Sequence, residues 1–164
     1  MNKKLFFTLE KTLVHTTLNE EVDCDLIVPF GRKMKAYTNV RESAHCAIDR
    51  AVSSIGIFDV YLITDCYKEH VENLCKQAKF NFYERNLICD VKTITDLGDN
   101  INESNNYLVG CEDFNPSGKK CKLLGIEDVT SYIKVEPYTG DNSFDFLEKI
   151  IDTISLIKTD PYEY

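Results

Sequence analysis

Seven cysteines, at positions 24, 46, 66, 75, 89, 111 and 121, and three histidines, His15, His45 and His70, are the first residues to test for chemistry. The cysteines make no Cys-x-x-Cys pair, and no cysteine stands at a zinc-like spacing from a histidine. Their odd number reads as reduced thiols in an intracellular protein. A thiol phosphatase needs a loop that cradles phosphate and ends in an arginine steadying the cysteinyl-phosphate, and neither Cys66 nor Cys111 has that context. The histidines form no triad and no metal spacing, so His15 reads as structural and His45 and His70 as surface residues. What remains is hydroxyls and carboxylates just beyond apolar runs: Thr8 and Glu10, then Thr64, then Glu112 and Asp113. A threonine where a strand meets a helix either binds an oxyanion or caps the helix. The run Gly118-Lys119-Lys120-Cys121-Lys122 is the one local basic patch and reads as a solvated loop able to grip an acidic partner.

These residues must be placed by strands alternating with helices. Residues 4–9 form a short apolar run of the kind that fills a buried parallel strand. Residues 25–30, the turn Gly31-Arg32 and residues 33–38 read as a hairpin, with Pro29 marking an edge. From Arg41 the period becomes helical, with Ala44, Ala47, Ile48, Ala51, Val52 and Ile55 on one face and Gly56 ending it. A second buried strand covers residues 58–63, and a helix from about residue 67 to 78 turns Val71, Leu74, Cys75 and Ala78 inward. Short strands follow at residues 86–89, 107–109 and 132–135. A last helix carries Phe144, Leu147, Ile150, Ile151, Ile154 and Ile157 at helical spacing. Strands joined by helical crossovers imply a parallel sheet between helices, and such sheets place their sites at the carboxyl ends of the strands. That rule selects residues 8–12, 64–66 and 110–113.

Composition narrows the partners. With 164 residues the chain fits one domain, read as residues 1–158 with a short frayed tail at 159–164. Lys+Arg 19 against Asp+Glu 27 gives a net charge of −8, which disfavours broad nucleic-acid binding and a polybasic membrane anchor. The opening MNKKLFF starts like a secretory signal, but the apolar run breaks at Glu10 and Lys11, short of the roughly 7–15 apolar residues required. No run approaches the ~18 apolar residues of a membrane span. The expectation is a soluble intracellular protein, cytoplasmic or nuclear.

The strand-end segments also carry a resemblance. Residues 4–16 resemble the first motif of the haloacid dehalogenase (HAD) superfamily, in the version of RNA polymerase II C-terminal-domain phosphatases and NLI-interacting-factor-like proteins. There an apolar strand leads into Asp-x-Asp-x-Thr-Leu-Val-His-Ser, and Thr12-Leu13-Val14-His15 shares the tail. Leu62-Ile63-Thr64-Asp65-Cys66 with Tyr67 is similar to the second motif. Val91-Lys92 followed by Leu97-Gly98 is similar to the third, and residues 135–141 to the closing strand and Gly-Asp turn. The matches run in order from Lys4 to about Ile157. The resemblance implies an α/β fold: a HAD-like Rossmannoid three-layer sandwich with a central, mostly parallel sheet and a small β-hairpin insertion after strand 1.

The resemblance also implies phosphoryl transfer onto the leading Asp of the first motif, followed by hydrolysis of the aspartyl-phosphate. Here that nucleophile position is Thr8, whose hydroxyl is neither ionised at neutral pH nor a metal-binding carboxylate. The acid/base position is Glu10, one methylene longer than Asp, a shift of about 1 Å that costs on the order of 100-fold. Thr64 and Lys92 stand at the phosphate-binding positions. The fourth motif ends its strand in metal-binding acids, but Val109 is followed by Gly110-Cys111, leaving Glu112 and Asp113 to reach a metal only through a shift of loop register. Removing clustered carboxylates, which repel by roughly 4 kcal/mol per close pair, lets such a chain fold without a cation. The expectation is therefore a non-catalytic binding or scaffolding pseudophosphatase with a phosphate or phosphopeptide pocket, no cofactor, and a protein partner that carries phosphate. The alternative is a weak magnesium-dependent phosphoprotein or phosphomonoester phosphatase using Glu10; a structural subunit with a filled cleft is a third reading.

Overall fold

The computed structural model describes residues 3–20, 23–89, 105–140 and 145–159. Lys92, Leu97, Gly98, Asp141 and the tail from residue 160 lie outside the described residues.

The first apolar run forms β1, Lys3–Thr8, the central strand of a five-stranded sheet. Its neighbours are β5 (Val60–Thr64) and β7 (Asn105–Gly110), and β6 (Leu87–Cys89) and β8 (Tyr132–Lys134) lie outside them. Every pairing in this sheet is parallel. The side-chain period of two splits β1 between two cores: Leu5 and Phe7 join one apolar cluster and Phe6 the other. The larger cluster takes in α1 (Ala44–Ile55), α2 (Lys68–Ala78) and α4 (Asp145–Thr159) through Ile48, Leu74 and Ile150. Phe6, Tyr61, Ile63 and Leu108 form the other, covered by Cys121, Leu123, Leu124 and Ile126. Helices on both faces of a mostly parallel sheet make the three layers that the strand–helix alternation predicts.

The basic run is not a loop. It opens α3, Lys119–Leu124, which begins after Gly118 and stops at Gly125, a left-handed residue with φ 67° whose N–H reaches Lys122 O. A helix of six residues is too short to display a period, and its lysines form the polar side of a turn whose other side is buried.

The hairpin exists as β3 (Leu26–Phe30) and β4 (Met34–Val40), with Pro29 on the edge strand. It gains a third strand, β2 (Val14–Thr17), paired antiparallel to β4 with Val14 opposite Val40 and Thr17 opposite Tyr37. A tight turn brings β2 back directly after β1: Leu9 O accepts the N–H groups of Thr12, Leu13 and Val14, with Lys11 at φ 62°. Arg41, buried at 1 % exposure, ties this turn to the far end of the chain by donating Nη2 to Lys11 O and to Glu136 O. Its guanidinium carbon lies 4.5 Å from the Phe146 ring centre and 5.4 Å from that of Tyr138. His70 is also buried rather than on the surface, with Nδ1 3.1 Å from Pro29 O and its ring edge-on to Phe30.

Among the described residues, no helix is long and apolar enough to cross a membrane.

Candidate functional site

The chain leaves β1 for β5 and β6 on one side of the sheet, then returns to β7 and β8 on the other. The crevice of such a sheet opens at the carboxyl ends of the strands beside this reversal. A cavity of about 450 Å³ lies there. Parallel register delivers its lining: Thr8 is level with Ile63, Thr64 is one residue further along β5, and Gly110 follows Val109, the partner of Phe7. Thr8, Glu10, Thr64, Glu112 and Asp113 all line this one cavity, with Cys66, Cys111 and the start of α3. Lys92 lies outside the described residues.

Thr8 Oγ1 is 2.6 Å from Thr12 Oγ1 and donates to Val109 O at 2.9 Å. A hydroxyl has one proton, so Thr8 spends it on the backbone and accepts from Thr12. Among the described residues, no histidine or carboxylate is hydrogen-bonded to Thr8 to take it. Glu10 is held from the other side. Its Oε1 accepts the Thr16 N–H of β2 at 2.9 Å and lies 3.9 Å from His15 Nδ1.

Thr64 is buried at 7 % exposure, and its Oγ1 accepts the Cys66 N–H at 3.2 Å, shaping the turn that leads into α2. Among the described residues nothing accepts the Thr64 hydroxyl proton. The next residue, Asp65, receives two lysines from α3: Lys119 Nζ is 3.3 Å from Oδ1 and Lys120 Nζ 3.3 Å from Oδ2. Partial burial pushes the Asp65 carboxyl up, but the two ammonium groups outweigh it and hold it below the usual carboxylate range.

The end of β7 is shaped by an aromatic ring. A Cβ at Gly110 would stand 2.6 Å from Tyr132 Oη and 3.3 Å from two ring carbons. The Tyr132 hydroxyl donates to Glu112 O at 2.5 Å, and its ring meets Phe114 at 5.6 Å. Burial, aided by the neighbouring Cys111, Cys121 and Glu112, pushes the phenol up to about 12, so it is a neutral donor at physiological pH. Cys111 Sγ points its weak donor at Glu10 O, 3.8 Å away. Glu112 and Asp113 are both exposed, and the Asp113 carboxylate is paired with Lys134. The Lys134 hydrogen bond holds Asp113 below the usual carboxylate range.

All seven cysteines are free. Burial, then the neighbouring Cys89, pushes Cys75 up to about 12, and burial likewise pushes Cys89 up to about 11, so neither is a thiolate nucleophile at neutral pH. Among the described residues, no group of three His, Cys, Asp or Glu side chains is arranged to hold a metal ion.

Sequence reasoning selected the strand-end residues, Asp65 among them, and singled out the basic run, but it did not join Lys119 and Lys120 to Asp65 and it missed Tyr132. The basic run was a visible signal for the lysines. Nothing local in the sequence points Tyr132 at a glycine twenty-two positions earlier.

No family model matches the chain, and no curated protein matches it. Solved structures do. The fission yeast RNA polymerase II CTD phosphatase Fcp1 bound to beryllium fluoride aligns with 98 % of this chain at 12 % identity and a TM-score of 0.54. A structure of Fcp1 described as an essential RNA polymerase II CTD phosphatase aligns with 93 % at 12 % identity and a TM-score of 0.53. The chain spans about half the length of each, 52 % and 49 %. The likeness is one of fold: a five-stranded parallel sheet between helices, together with a three-stranded antiparallel sheet.

Proposed function

We propose that this chain is a catalytically degenerate HAD-like domain, a pseudophosphatase that binds a phosphorylated protein partner inside the cell without hydrolysing it. One observation carries the reading. The hydroxyl at the nucleophile position is committed to Val109 O and Thr12, with no base beside it. Attack on phosphorus needs an ionised or base-activated oxygen, and a neutral hydroxyl whose proton is held by the backbone is neither.

The magnesium that the resemblance implies does not fit the donors present. Magnesium takes a near-octahedral set of hard oxygens with one or two carboxylates. Glu10 Oε1 is engaged by the Thr16 N–H, position 110 has no side chain and its space is held by Tyr132, and Cys111 offers soft sulfur. Asp113 is held by Lys134 at the rim, and Glu112, exposed beside it, joins no group of three His, Cys, Asp or Glu side chains among the described residues. Binding therefore falls to neutral and cationic groups. The Thr64 hydroxyl has a proton to give an oxyanion, and Lys92 supplies a cation by resemblance. The backbone beneath Thr64 is packed: every residue of β5 is buried, and so is every residue of β1 and β7 except Thr8 and Asn105.

The test is titration of the chain with a phosphoserine peptide in excess chelator, followed by mass measurement of the recovered peptide. Binding that survives the chelator, with the phosphate still in place, supports the reading. Binding that requires magnesium, or recovery of dephosphorylated peptide, refutes it.

A further inference from the structure

We propose that the anion seat of this cavity is the Lys119–Lys120 pair at the start of α3, and that Asp65 is an internal occupant which an incoming phosphomonoester dianion displaces. The proposal rests on the phosphate-binding reading above and names a cation source which that reading does not contain.

Two ammonium groups converge on one carboxylate, each at 3.3 Å, so this cluster by itself carries one more positive than negative charge, in a cavity whose lining also includes Glu10, Glu112 and Asp113. Like charges are brought together at a cost unless an anion bridges them, and a dianion matches the pair better than the single charge of Asp65. The lysines are placed by packing. Cys121, Leu123 and Leu124 of the same short helix are buried against Phe6, Tyr61, Ile63 and Leu108, which fixes the backbone that carries Lys119 and Lys120. The existing bridge is exchangeable. Both distances exceed the roughly 2.7–2.9 Å of strong charge-assisted bonds, and Asp65 is 63 % exposed, a setting in which ion pairs contribute little.

The hydroxyls point the same way. Thr64, adjacent to Asp65 in the chain, keeps a proton to donate, whereas Thr8 on the neighbouring strand does not. Of the competing acids, Glu10 is engaged by the Thr16 N–H and Asp113 by Lys134, which leaves Glu112, exposed to solvent, as the remaining one. A phosphate group seated here would thus accept from Lys119, Lys120 and Thr64 rather than from Thr8. No bond to phosphorus forms or breaks.

The experiment titrates the folded full chain and three variants with inorganic phosphate and with a phosphoserine peptide, in chelator, by calorimetry. Lys119→Ala/Lys120→Ala is expected to weaken binding of both probes by about 10- to 30-fold, as two surface charge contacts are lost. Asp65→Asn is expected to tighten it by about 3- to 10-fold, because the seat no longer has to be vacated first. A gain of affinity cannot arise from misfolding, so the two variants control each other. Peptide binding well above that of free phosphate identifies a phosphoprotein as the source of the dianion, and equal affinities identify a small phosphate ester; the seat stands in both cases. Unchanged binding in the double lysine variant, or weaker binding in Asp65→Asn, overturns the proposal. If Lys92→Ala instead abolishes binding, the seat is wrong and the phosphate-binding reading survives. Failure of the wild-type chain and Asp65→Asn to bind either probe ends both.

Discussion

A methyl group added at Gly110 is the sharpest probe of why β7 ends in a glycine rather than in an acid. Its Cβ would stand 2.6 Å from Tyr132 Oη, closer than real side chains tolerate, with ring carbons behind it at 3.3 Å. The ring cannot swing aside cheaply, because its hydroxyl is tied to Glu112 O and its face packs with Phe114 in the smaller core. Overpacking of this kind costs about 1–3 kcal/mol, so Gly110→Ala is expected to lower stability by that amount. With a urea slope of about 2 kcal/mol/M, the denaturation midpoint should fall by roughly 0.5–1.5 M. Tyr132→Phe alone gives up one hydrogen bond, about 1 kcal/mol. In that background the nearest contact to the new methyl becomes 3.3 Å, and the cost of Gly110→Ala should drop below about 1 kcal/mol. The four proteins of this cycle are compared by equilibrium urea unfolding with two spectroscopic probes. A coupling energy near 1–2 kcal/mol supports the reasoning. Gly110→Ala costing nothing, or costing the same with and without the phenol oxygen, refutes it.

Three further outcomes follow from the same geometry. Gly125→Ala meets nothing within 4 Å yet must adopt φ 67°, so its cost should be purely conformational, about 1–2 kcal/mol in the same unfolding assay, and insensitive to Tyr132→Phe. Arg41→Ala should cost about 3–5 kcal/mol, because it empties a buried site between Phe146 and Tyr138 and leaves the carbonyls of Lys11 and Glu136 without their donor. The Tyr132 contribution to stability should be flat up to the ordinary tyrosine pKa and then fall as pH rises toward about 12, its folded value, on top of the loss that the raised Cys75 and Cys89 thiols begin in the ordinary thiol range. The sign follows from the raised folded pKa: above the ordinary value the unfolded chain loses its phenol proton first, and this draws the equilibrium toward unfolding. Tyr132→Phe should remove that share of the alkaline loss, read by unfolding at a series of pH values beside phenolate absorbance.

What could be read from the sequence was whatever repeats with a period. The alternation in residues 4–9 places Leu5 and Phe7 in one core and Phe6 in the other, and the helical spacing from Ala44 and from Ile150 builds the layer on one face. Strand order then put residues 8, 64 and 110–113 around one cavity, as the rule for parallel sheets requires. Features without a period were not legible. α3 has six residues, so charge dominated its appearance and hid its buried side. β2 is four residues whose role appears only when β4 arrives opposite it. His70 lies one helical turn before Leu74, and only packing of β3 against α2 supplies the Pro29 carbonyl that suits a buried ring nitrogen. The most consequential contact, Tyr132 against Gly110, is made between neighbouring strands by a side chain that local pattern treats as ordinary β-sheet filling.

The most direct measurement is release of phosphate from a chromogenic aryl phosphate by the full chain in saturating magnesium, compared with Glu10→Ala and with Thr8→Asp. A threonine whose proton is held by the Val109 carbonyl, beside a strand that ends in glycine, should give wild-type release equal to the Glu10→Ala background, and Thr8→Asp alone should not raise it. Wild-type turnover that vanishes in Glu10→Ala, or hydrolysis restored by Thr8→Asp alone, would contradict the account.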